Sequence, residues 1–384
     1  MHRSIPLKRL NHFGNWILDK LEQKELKVYQ KLLAREKNKT LLDSVQQKEL
    51  KFPEILYPQQ NMPVEWWYFT GHLQNKEQKF GYEFCFFKFH PQALRAGIIP
   101  LNKIRKEPFL VFHFALTDKK EQKFDYVQES GMSFPQNINY NQLNLKLDHS
   151  SFIFEKDKFS LSTKNKIADL SLELKPETKI IKHFSSGFAE MFPQQRTYYL
   201  SYPRMSTKGE LQVGSKRYAV TGTSWFDHQK MNMLHHSPLR GWEWFSLILE
   251  DKTELMFFVL RTKKGLTRKH LGGTFIKKDG NIIHLSQKDA LIKPLSIWKS
   301  PHTGIVYPSG WKMSIPRLRL DLIISPEVKD QELHDRGITP IAYWEGACKV
   351  EGNKNGKKIK GQSYVELVGY DKRLSTRLFQ SFVD

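Results

Sequence analysis

The hydrophobic pattern of this chain changes from a helical to a strand period near residue 50. Over residues 15–47, apolar side chains recur at roughly helical spacing among charged ones, which predicts a helix. From Glu65 onward, apolar and polar residues alternate in short segments between polar turns, which predicts many short strands in a sandwich or barrel. These segments include residues 80–89, 110–116, 143–147, 170–174, 218–226, 244–249, 254–261, 273–277, 311–324, 343–350 and 363–370.

The most distinctive local pattern is the aromatic segment Glu-Trp-Trp-Tyr-Phe-Thr at residues 65–70. In a strand, Trp66 and Tyr68 face one way, and Glu65 and Trp67 face the other. Inside a closed sheet, Glu65 would be a carboxyl group beside indoles in an apolar cavity, where it could serve in proton transfer. The alternative is a half-buried strand with Glu65 at its solvated start.

A faint repeat links this segment to Gly-Trp-Glu-Trp-Phe at residues 241–245. Each segment is followed by a polar turn and then by an aromatic strand, at residues 84–87 and 256–258. Such repetition favours two barrels of the same kind in one chain.

The composition agrees with a large sheet protein. The chain has 384 residues, which is enough for two domains of roughly 100–200 residues each. Aromatic residues make up 13% of it, which suits sheets with apolar interiors. Because Cys85 and Cys348 are its two cysteines, neither a disulfide framework nor a cysteine-rich metal site is expected.

The net charge of +21 attracts anionic surfaces, either nucleic acid or acidic lipid head groups. The lysines are spread along the chain and no nucleic-acid-binding motif occurs, so nucleic acid is not an expected partner. A peripheral contact with an anionic membrane is expected instead. The helix over residues 15–47 is predicted to pack on its own protein or to be solvated, in preference to lying on that membrane.

The sequence also bears on location. No run of about 18 apolar residues occurs, which argues against a membrane span. The basic residues 1–10 are not followed by the apolar segment and cleavage site of a signal peptide. The sequence therefore predicts a cytoplasmic or membrane-peripheral protein.

Groups suited to acid and base chemistry gather at residues 220–229, Val-Thr-Gly-Thr-Ser-Trp-Phe-Asp-His-Gln. Asp227 and His228 offer an acid and a base beside the indole of Trp225. Strand alternation places Trp225 and Asp227 on one face and His228 on the other, so the acid and the base need not act together. The alternative is an ordinary strand end at which Asp227 caps a turn.

Other catalytic patterns are absent from the sequence. There is no Gly-x-Ser-x-Gly turn, no His-Glu-x-x-His motif and no glycine-rich loop for phosphate or dinucleotides. His235 and His236 are adjacent, so their side chains diverge and would not reach one metal ion. Neither a metal nor another cofactor is expected.

Taken in order, the segments at residues 65–73, 222–228, 241–245 and 343–347 resemble the AttH-like family, which includes the carotenoid 1,2-hydratases. The resemblance covers roughly residues 52–370. It implies an all-β fold of two lipocalin-like (calycin) antiparallel β-barrels in tandem, at residues 52–205 and 206–384, after a helical N-terminal extension at residues 1–51. The family's activities include water addition to an isolated double bond of an isoprenoid.

By this resemblance, Asp227 is the candidate proton donor, and His228 or Glu243 would hold the water. The hydratases typically carry Tyr-His-Asp-His at this aspartate, whereas this chain has Trp-Phe-Asp-His and lacks one histidine. Arg204 would bind an anionic head group or pair with an acid between the domains. The candidates to contact the ligand are Trp225, Trp242, Trp244, Tyr343, Trp344, Trp67 and Glu65.

Two functions remain open from the sequence. The first is a hydro-lyase that adds water to a C=C bond of an apolar ligand, isoprenoid or polyketide-like, with aromatic rings stabilising the cation. The second is a non-enzymatic carrier of a lipid or other apolar ligand, in which the carboxylates are structural. The sequence does not predict the oligomeric state.

Overall fold

The structure is a computed structural model that describes residues 51–91, 95–96, 99–100, 106–132, 135–192, 195–232, 238–262, 265–267, 272–334 and 342–371. Apart from Lys51, the helical extension predicted for residues 1–51 lies outside the described residues. Short 3-10 helices occur at Glu54–Leu56, Pro135–Asn137 and Pro316–Leu318.

The first sheet is antiparallel and has 13 strands within the described residues, in the order β6-β5-β2-β1-β15-β14-β11-β10-β9-β8-β7, with β12 and β13 paired to β14. Within the described residues, the strands β3 and β4 form a separate two-stranded sheet. The bounds are β1 (Val64–Gln74), β2 (Lys79–Phe89), β3 (Arg95–Ala96), β4 (Ile99–Pro100), β5 (Phe109–Asp118), β6 (Lys123–Met132), β7 (Ile138–Asn139), β8 (Asn144–Leu147), β9 (Ser150–Glu155), β10 (Lys158–Lys164), β11 (Asp169–Pro176), β12 (Ile181–Lys182), β13 (Phe188–Phe192), β14 (Gln195–Val213) and β15 (Lys216–Met231).

The second sheet, also antiparallel, has 11 strands in the described part of the chain, in the order β20-β19-β17-β16-β26-β25-β23-β22-β21, with β18 paired to β17 and β24 to β25. Its strands are β16 (Leu239–Leu249), β17 (Glu254–Thr262), β18 (Gly265–Thr267), β19 (Gly272–Ile276), β20 (Ile282–Ser286), β21 (Leu291–Lys299), β22 (Val306–Ile315), β23 (Leu320–Pro326), β24 (Glu332–His334), β25 (Ala342–Lys354) and β26 (Lys357–Leu367).

The prediction of an all-β fold with two lipocalin-like antiparallel barrels in tandem is confirmed, and the structure shows them as two curled antiparallel sheets, or half-barrels. The two aromatic segments of the repeat hold equivalent places, because β1 and β16 each open a sheet and pair with its second strand and its last one. The boundary predicted at residues 205 and 206 falls within β14. That strand and β15 belong to the first sheet, which continues to Met231.

Strand alternation divides the apolar side chains of each sheet between two layers. Trp67 and Phe69 belong to a core that the first sheet encloses, and Phe245 belongs to the core of the second. The opposite faces of β1 and β16 are also buried, because the two sheets pack against each other there. In this intersheet layer the rings of Tyr68 and Trp244 meet edge to face, with centroids 5.3 Å apart.

Small and polar side chains fit the two sheets together. Gly81 on β2 permits a close approach, since a Cβ atom there would lie 2.5 Å from the Cβ of Ala347 on β25. Thr117 Oγ1 donates a hydrogen bond to Gln331 Oε1 at 2.7 Å across the same layer. The intersheet layer is therefore packed in the manner of a protein interior.

Candidate functional site

A pocket lies in the intersheet layer, outside both sheet cores. Its cavity volume is about 50 Å³, which is room for a few water molecules. Two carboxyl groups line it, those of Asp227 and Glu366. The aromatic side chains of the lining are Trp66, Tyr68, Phe87, Tyr199, Trp242, Trp244 and Phe258.

Asp227 on β15 accepts hydrogen bonds from three neutral donors. Trp225 Nε1 donates to its Oδ1 at 2.6 Å. The Ser201 hydroxyl donates to the same oxygen, and the Tyr199 hydroxyl donates to Oδ2. Burial raises the pKa of Asp227 to about 7, although the three hydrogen bonds act to lower it. Asp227 can therefore exchange a proton near neutral pH.

A chain of hydrogen bonds reaches Asp227 from the second sheet. His183 Nδ1 bonds Thr274 Oγ1 on β19 at 2.8 Å, and His183 Nε2 bonds Ser201 Oγ at 2.6 Å. Because Ser201 donates its own proton to Asp227, its oxygen accepts from His183 Nε2. Burial lowers the pKa of His183 to about 3, so its imidazole is neutral at pH 7. The hydrogen bonds from Thr274 through His183 therefore orient Ser201 without placing a charge beside Asp227.

Glu366 on β26 supplies the second carboxyl group of the pocket. Trp242 Nε1 donates to Glu366 Oε2 at 2.6 Å. Burial raises the pKa of Glu366 to about 7; the charge of Asp227 also raises it, and the Trp242 hydrogen bond lowers it. Two carboxyl groups with such pKa values at one pocket can act as an acid and a base.

The strand register explains how residues so distant in sequence meet. Asp227 stands opposite Tyr68 in the pairing of β15 with β1, and Glu366 stands opposite Trp244 in the pairing of β26 with β16. Directly opposed residues of an antiparallel pair lie on the same face of the sheet. Since Tyr68 packs against Trp244, both pairs lie in the intersheet layer.

Indole rings form much of the pocket wall. Trp66 and Trp242 are half-buried and stack, with ring centroids 6.3 Å apart and planes 9° from parallel. Trp244 donates its Nε1 proton to Tyr199 Oη at 2.8 Å. Such rings stabilise a cation by about 0.5–2 kcal/mol for each well-placed ring.

Glu83 and Glu345 are buried deeper in the same layer. Tyr68 donates to Glu345 Oε1 at 2.7 Å, and Tyr343 donates to Glu83 Oε1 at 3.4 Å. Among the residues that the structure describes, the Oε2 atom of each glutamate has no hydrogen-bond partner. Burial first, and neighbouring carboxylates second, raise the pKa of Glu83 to about 8 and that of Glu345 well above its ordinary value. Both groups therefore favour the neutral acid at pH 7.

Four of the residues predicted from the sequence meet at or beside the pocket. Asp227, Trp242 and Trp244 line it, and Trp225 lies beside it and donates a hydrogen bond to Asp227. Tyr343 lies in the same layer beside Glu83, and its hydroxyl bonds His113 Nδ1 at 2.6 Å.

His228 lies on the face opposite Asp227, as strand alternation predicts. Its ring stacks on Trp67 inside the first core, with centroids 4.8 Å apart, and its Nδ1 bonds Trp66 O at 2.9 Å. The Trp67 Nε1 atom donates to Leu56 O at 2.9 Å. Neither His228 nor the Trp67 side chain contributes to the pocket wall.

Glu65 is fully buried in the first core, so it does not occupy a solvated strand start. Its carboxylate forms an ion pair with Lys88, and Lys230 Nζ lies 3.8 Å from its Oε1. The backbone N–H of Gln59 donates to both of its oxygens, at 3.2 and 3.0 Å. Glu65 therefore belongs to an ion cluster on the far side of β1 from the pocket.

Glu243 and Trp344 also face away from the pocket. Glu243 Oε1 accepts a hydrogen bond from the Tyr370 hydroxyl and lies 3.5 Å from Arg261 Nη1. Trp344 Nε1 donates to Lys329 O at 2.8 Å and belongs to the second core.

Arg204 joins the two sheets. Its Nε donates to Glu254 Oε1 at 2.6 Å, and its Nη2 donates to Leu249 O at 3.0 Å. These contacts match the alternative in which Arg204 pairs with an acid between the domains.

The sequence reasoning missed Glu366, Tyr199 and Trp66 as pocket residues. Glu366 follows Tyr364 by two positions in an alternating strand, so a carboxyl group on an otherwise apolar face was the available signal. For Trp66 the available signal was strand alternation, which places it on the same face as Tyr68. Tyr199 had no comparable signal in its own segment.

No cluster of His, Cys, Asp or Glu with an arrangement suited to a metal ion occurs among the described residues. In the same part of the chain, no helix is long and apolar enough to cross a membrane.

Comparison with solved structures identifies proteins of similar fold. An AttH protein from Nitrosomonas europaea is 25% identical, with a TM-score of 0.73 over 84% of this chain and 98% of that one. Kievitone hydratase from Nectria haematococca is 15% identical, with a TM-score of 0.66 over 84% of this chain and 93% of that one. The comparison with curated proteins found no match. The AttH-like sequence profile matches residues 43–370, and with this match over most of its length the chain belongs to the AttH-like family.

Proposed function

We propose that this protein adds water to a carbon–carbon double bond of an apolar ligand that enters between its two sheets, and that the pocket widens from its present room for a few water molecules to admit it. The observation that carries the proposal is the pair of Asp227 and Glu366, two carboxyl groups with pKa values of about 7 at one largely aromatic pocket. Isoprenoid alkenes suit the pocket chemically, because protonation of a trisubstituted double bond leaves a tertiary cation that indole faces stabilise. Kievitone hydratase shares the fold, so the fold is able to support a hydratase.

The two carboxyl groups would divide the proton transfers between them. One carboxyl O–H bond breaks as its proton forms a C–H bond with the electron pair of the alkene. A water molecule then forms a C–O bond at the cation, and its released proton passes to the other carboxylate. The reaction adds one water molecule and leaves the pair with the single proton that it had before.

The hydrogen bonds favour Glu366 as the donor and Asp227 as the acceptor. Three donors stabilise the charged form of Asp227, whereas the Trp242 indole is the hydrogen-bond donor to Glu366. In addition, the charge of Asp227 raises the pKa of Glu366, which keeps the shared proton on Glu366. The sequence alone suggested Asp227 as the donor, and the variants below distinguish the two assignments.

The alternative function is a carrier that binds the same kind of ligand in the same pocket without changing it. Its specific support is that the two carboxyl groups of the pocket are already bonded to side chains of its wall: Asp227 to Tyr199, and Glu366 to Trp242. In a carrier these carboxyl groups would only fix the side chains of the wall.

Incubation of the purified chain with a panel of prenyl alkenes in oxygen-18 water tests the proposal. The expected result is a labelled alcohol from the wild-type protein and little from Asp227→Asn or Glu366→Gln, with alkene binding retained by both variants. Glu332→Gln is the matched control, since Glu332 is a buried carboxyl group bonded to Ser300, Thr303 and Tyr307 outside the pocket. Binding without any labelled product would favour the carrier.

A further inference from the structure

Strands β21, β22 and β23 form one end of the second sheet, with β21 at its edge. The outward side of these strands carries aliphatic residues that are exposed to solvent, unlike those in the buried layers of the protein. Leu295 is 55% exposed, Ile297 73%, Val306 46% and Ile323 38%. These four residues are called the β21 face below.

The strand register makes the β21 face continuous. Ile297 stands opposite Pro308, and Lys299 stands opposite Val306. Lys312 lies between Lys293 on one neighbouring strand and Ile323 on the other. All these positions have the same parity along their strands, so they point to the same side of the sheet. The side chains at the intervening positions, such as Tyr307 and Trp311, enter the second core instead.

The charges on the strands of the β21 face are mainly positive, and on the neighbouring strand β25 the exposed Glu351 stands opposite Ile323. Lys293, Lys299 and Lys312 are exposed among the aliphatic residues. At the outward positions of these three strands, the acidic residue is Asp321, whose Oδ1 accepts a hydrogen bond from Ser314 Oγ at 2.6 Å. The whole chain carries a net charge of +21. A partner for this surface therefore needs both negative charge and an apolar layer.

A second copy of the chain fits these requirements poorly. Pro294 lies in β21, and a proline together with lysines on an edge strand opposes pairing with another strand. If two β21 edges paired about a twofold axis at Ser296, Lys293 of each copy would stand opposite Lys299 of the other. Opposed like charges destabilise such a pairing.

We propose that the β21 face docks the protein on a membrane surface containing acidic phospholipids. The aliphatic side chains enter the head-group region, and the three lysines contact lipid phosphates. Apolar burial and attraction to anionic lipids act together in contacts of this kind. The proposal does not depend on the reaction proposed above, because the β21 face lies on β21, β22 and β23, whereas the second sheet lines the pocket with β16, β17 and β26.

Co-sedimentation of the full chain with phosphatidylcholine vesicles, with and without phosphatidylglycerol, tests this inference. Binding is expected only when phosphatidylglycerol is present, and it should weaken as salt is added. The double variant Lys293→Gln/Lys299→Gln should lower the partition coefficient about fivefold for each lysine removed. The double variant Leu295→Ser/Ile297→Ser should also lower it, without changing the melting temperature.

Two control variants keep the test specific. Ile282→Ser removes an exposed aliphatic residue of 39% exposure from β20, at the opposite end of the sheet. Lys146→Gln/Lys216→Gln removes two exposed lysines from the first sheet. Equal losses from the control and test variants would overturn the proposal, as would an absence of vesicle binding. A concentration-dependent dimer that Ile297→Ser abolishes would assign the β21 face to a second copy instead.

Discussion

Buried carboxyl groups occur on both sides of the β1–β15 pair, and their surroundings differ. On the first-core side, Glu65 lies among Lys88, Lys230 and a backbone N–H. On the intersheet side, Asp227 lies among a tyrosine, a serine and a tryptophan. In the described part of the chain, no ion pair joins Asp227 or its neighbours Glu366, Glu83 and Glu345 to a lysine or arginine.

The difference separates a carboxylate that has cationic partners from buried carboxyl groups that have only neutral donors. A buried carboxylate with cationic partners keeps its charge, and removal of either partner leaves an unpaired charge in the core. A buried carboxyl group with neutral donors lies closer to the neutral acid, because burial disfavours its charge. Glu65 and Asp227 are both buried, so the face of the sheet on which each carboxyl group lies determines whether its neighbours are cations or neutral donors.

The largest expected effect concerns turnover. Glu366→Gln should lower the hydration rate by about 10²–10⁴-fold, because a glutamine cannot transfer the proton. Glu65→Gln should leave the rate per folded molecule unchanged. Rates from labelled-water assays, corrected for the folded fraction by circular dichroism, check this contrast. A rate loss in Glu65→Gln that matched Glu366→Gln would remove the distinction.

The next effect concerns stability. Lys88→Met should lower the free energy of unfolding by about 3–5 kcal/mol, because it removes the closest cation from the fully buried carboxylate of Glu65. Lys158→Met is the control. Lys158 pairs with Glu173 at 2.6 Å on the surface, where loss of a pair costs about 1 kcal/mol or less. Urea unfolding of both variants measures the difference, and similar losses would show that the Glu65 cluster contributes little.

A smaller effect should depend on pH. The folded protein holds the pKa of Glu83 at about 8, above its value in the unfolded chain, so the folded state binds more protons between about pH 4 and pH 8. Stability should therefore fall as the pH rises through that window. Glu83→Gln should remove part of this fall and stabilise the protein at pH 8 by on the order of 2 kcal/mol, with little gain at pH 4. Melting temperatures at both pH values check the sign.

The smallest effect should reveal which carboxyl group donates the proton. Trp242→Phe keeps an aromatic ring but removes the N–H that bonds Glu366, a change of about 1 kcal/mol. The pKa of Glu366 should then rise. If Glu366 is the donor, the fall in rate at high pH shifts to higher pH. If Asp227 is the donor, the rise in rate at low pH shifts to higher pH instead. Trp298→Phe, a change outside the pocket, should shift neither the rise nor the fall.

The sequence by itself determined the local structure and the family. Alternation placed Trp66 with Tyr68, and it placed Asp227 opposite to His228, because successive side chains of any strand point to opposite faces. The ordered aromatic segments identified the AttH-like family, and with it the two sheets in tandem.

Only the tertiary structure decided where the pocket lies and which groups share it. Alternation assigns a residue to a face, but it cannot say whether that face meets solvent, its own core or another sheet. Asp227 and Glu366 come together through packing between strands that are more than 100 residues apart. Glu65 meets Lys88 and Lys230 within one sheet instead, since β1 pairs with both β2 and β15. Strand pairing and packing between the sheets therefore set the surroundings of each carboxyl group, because they decide its burial and its neighbouring charges.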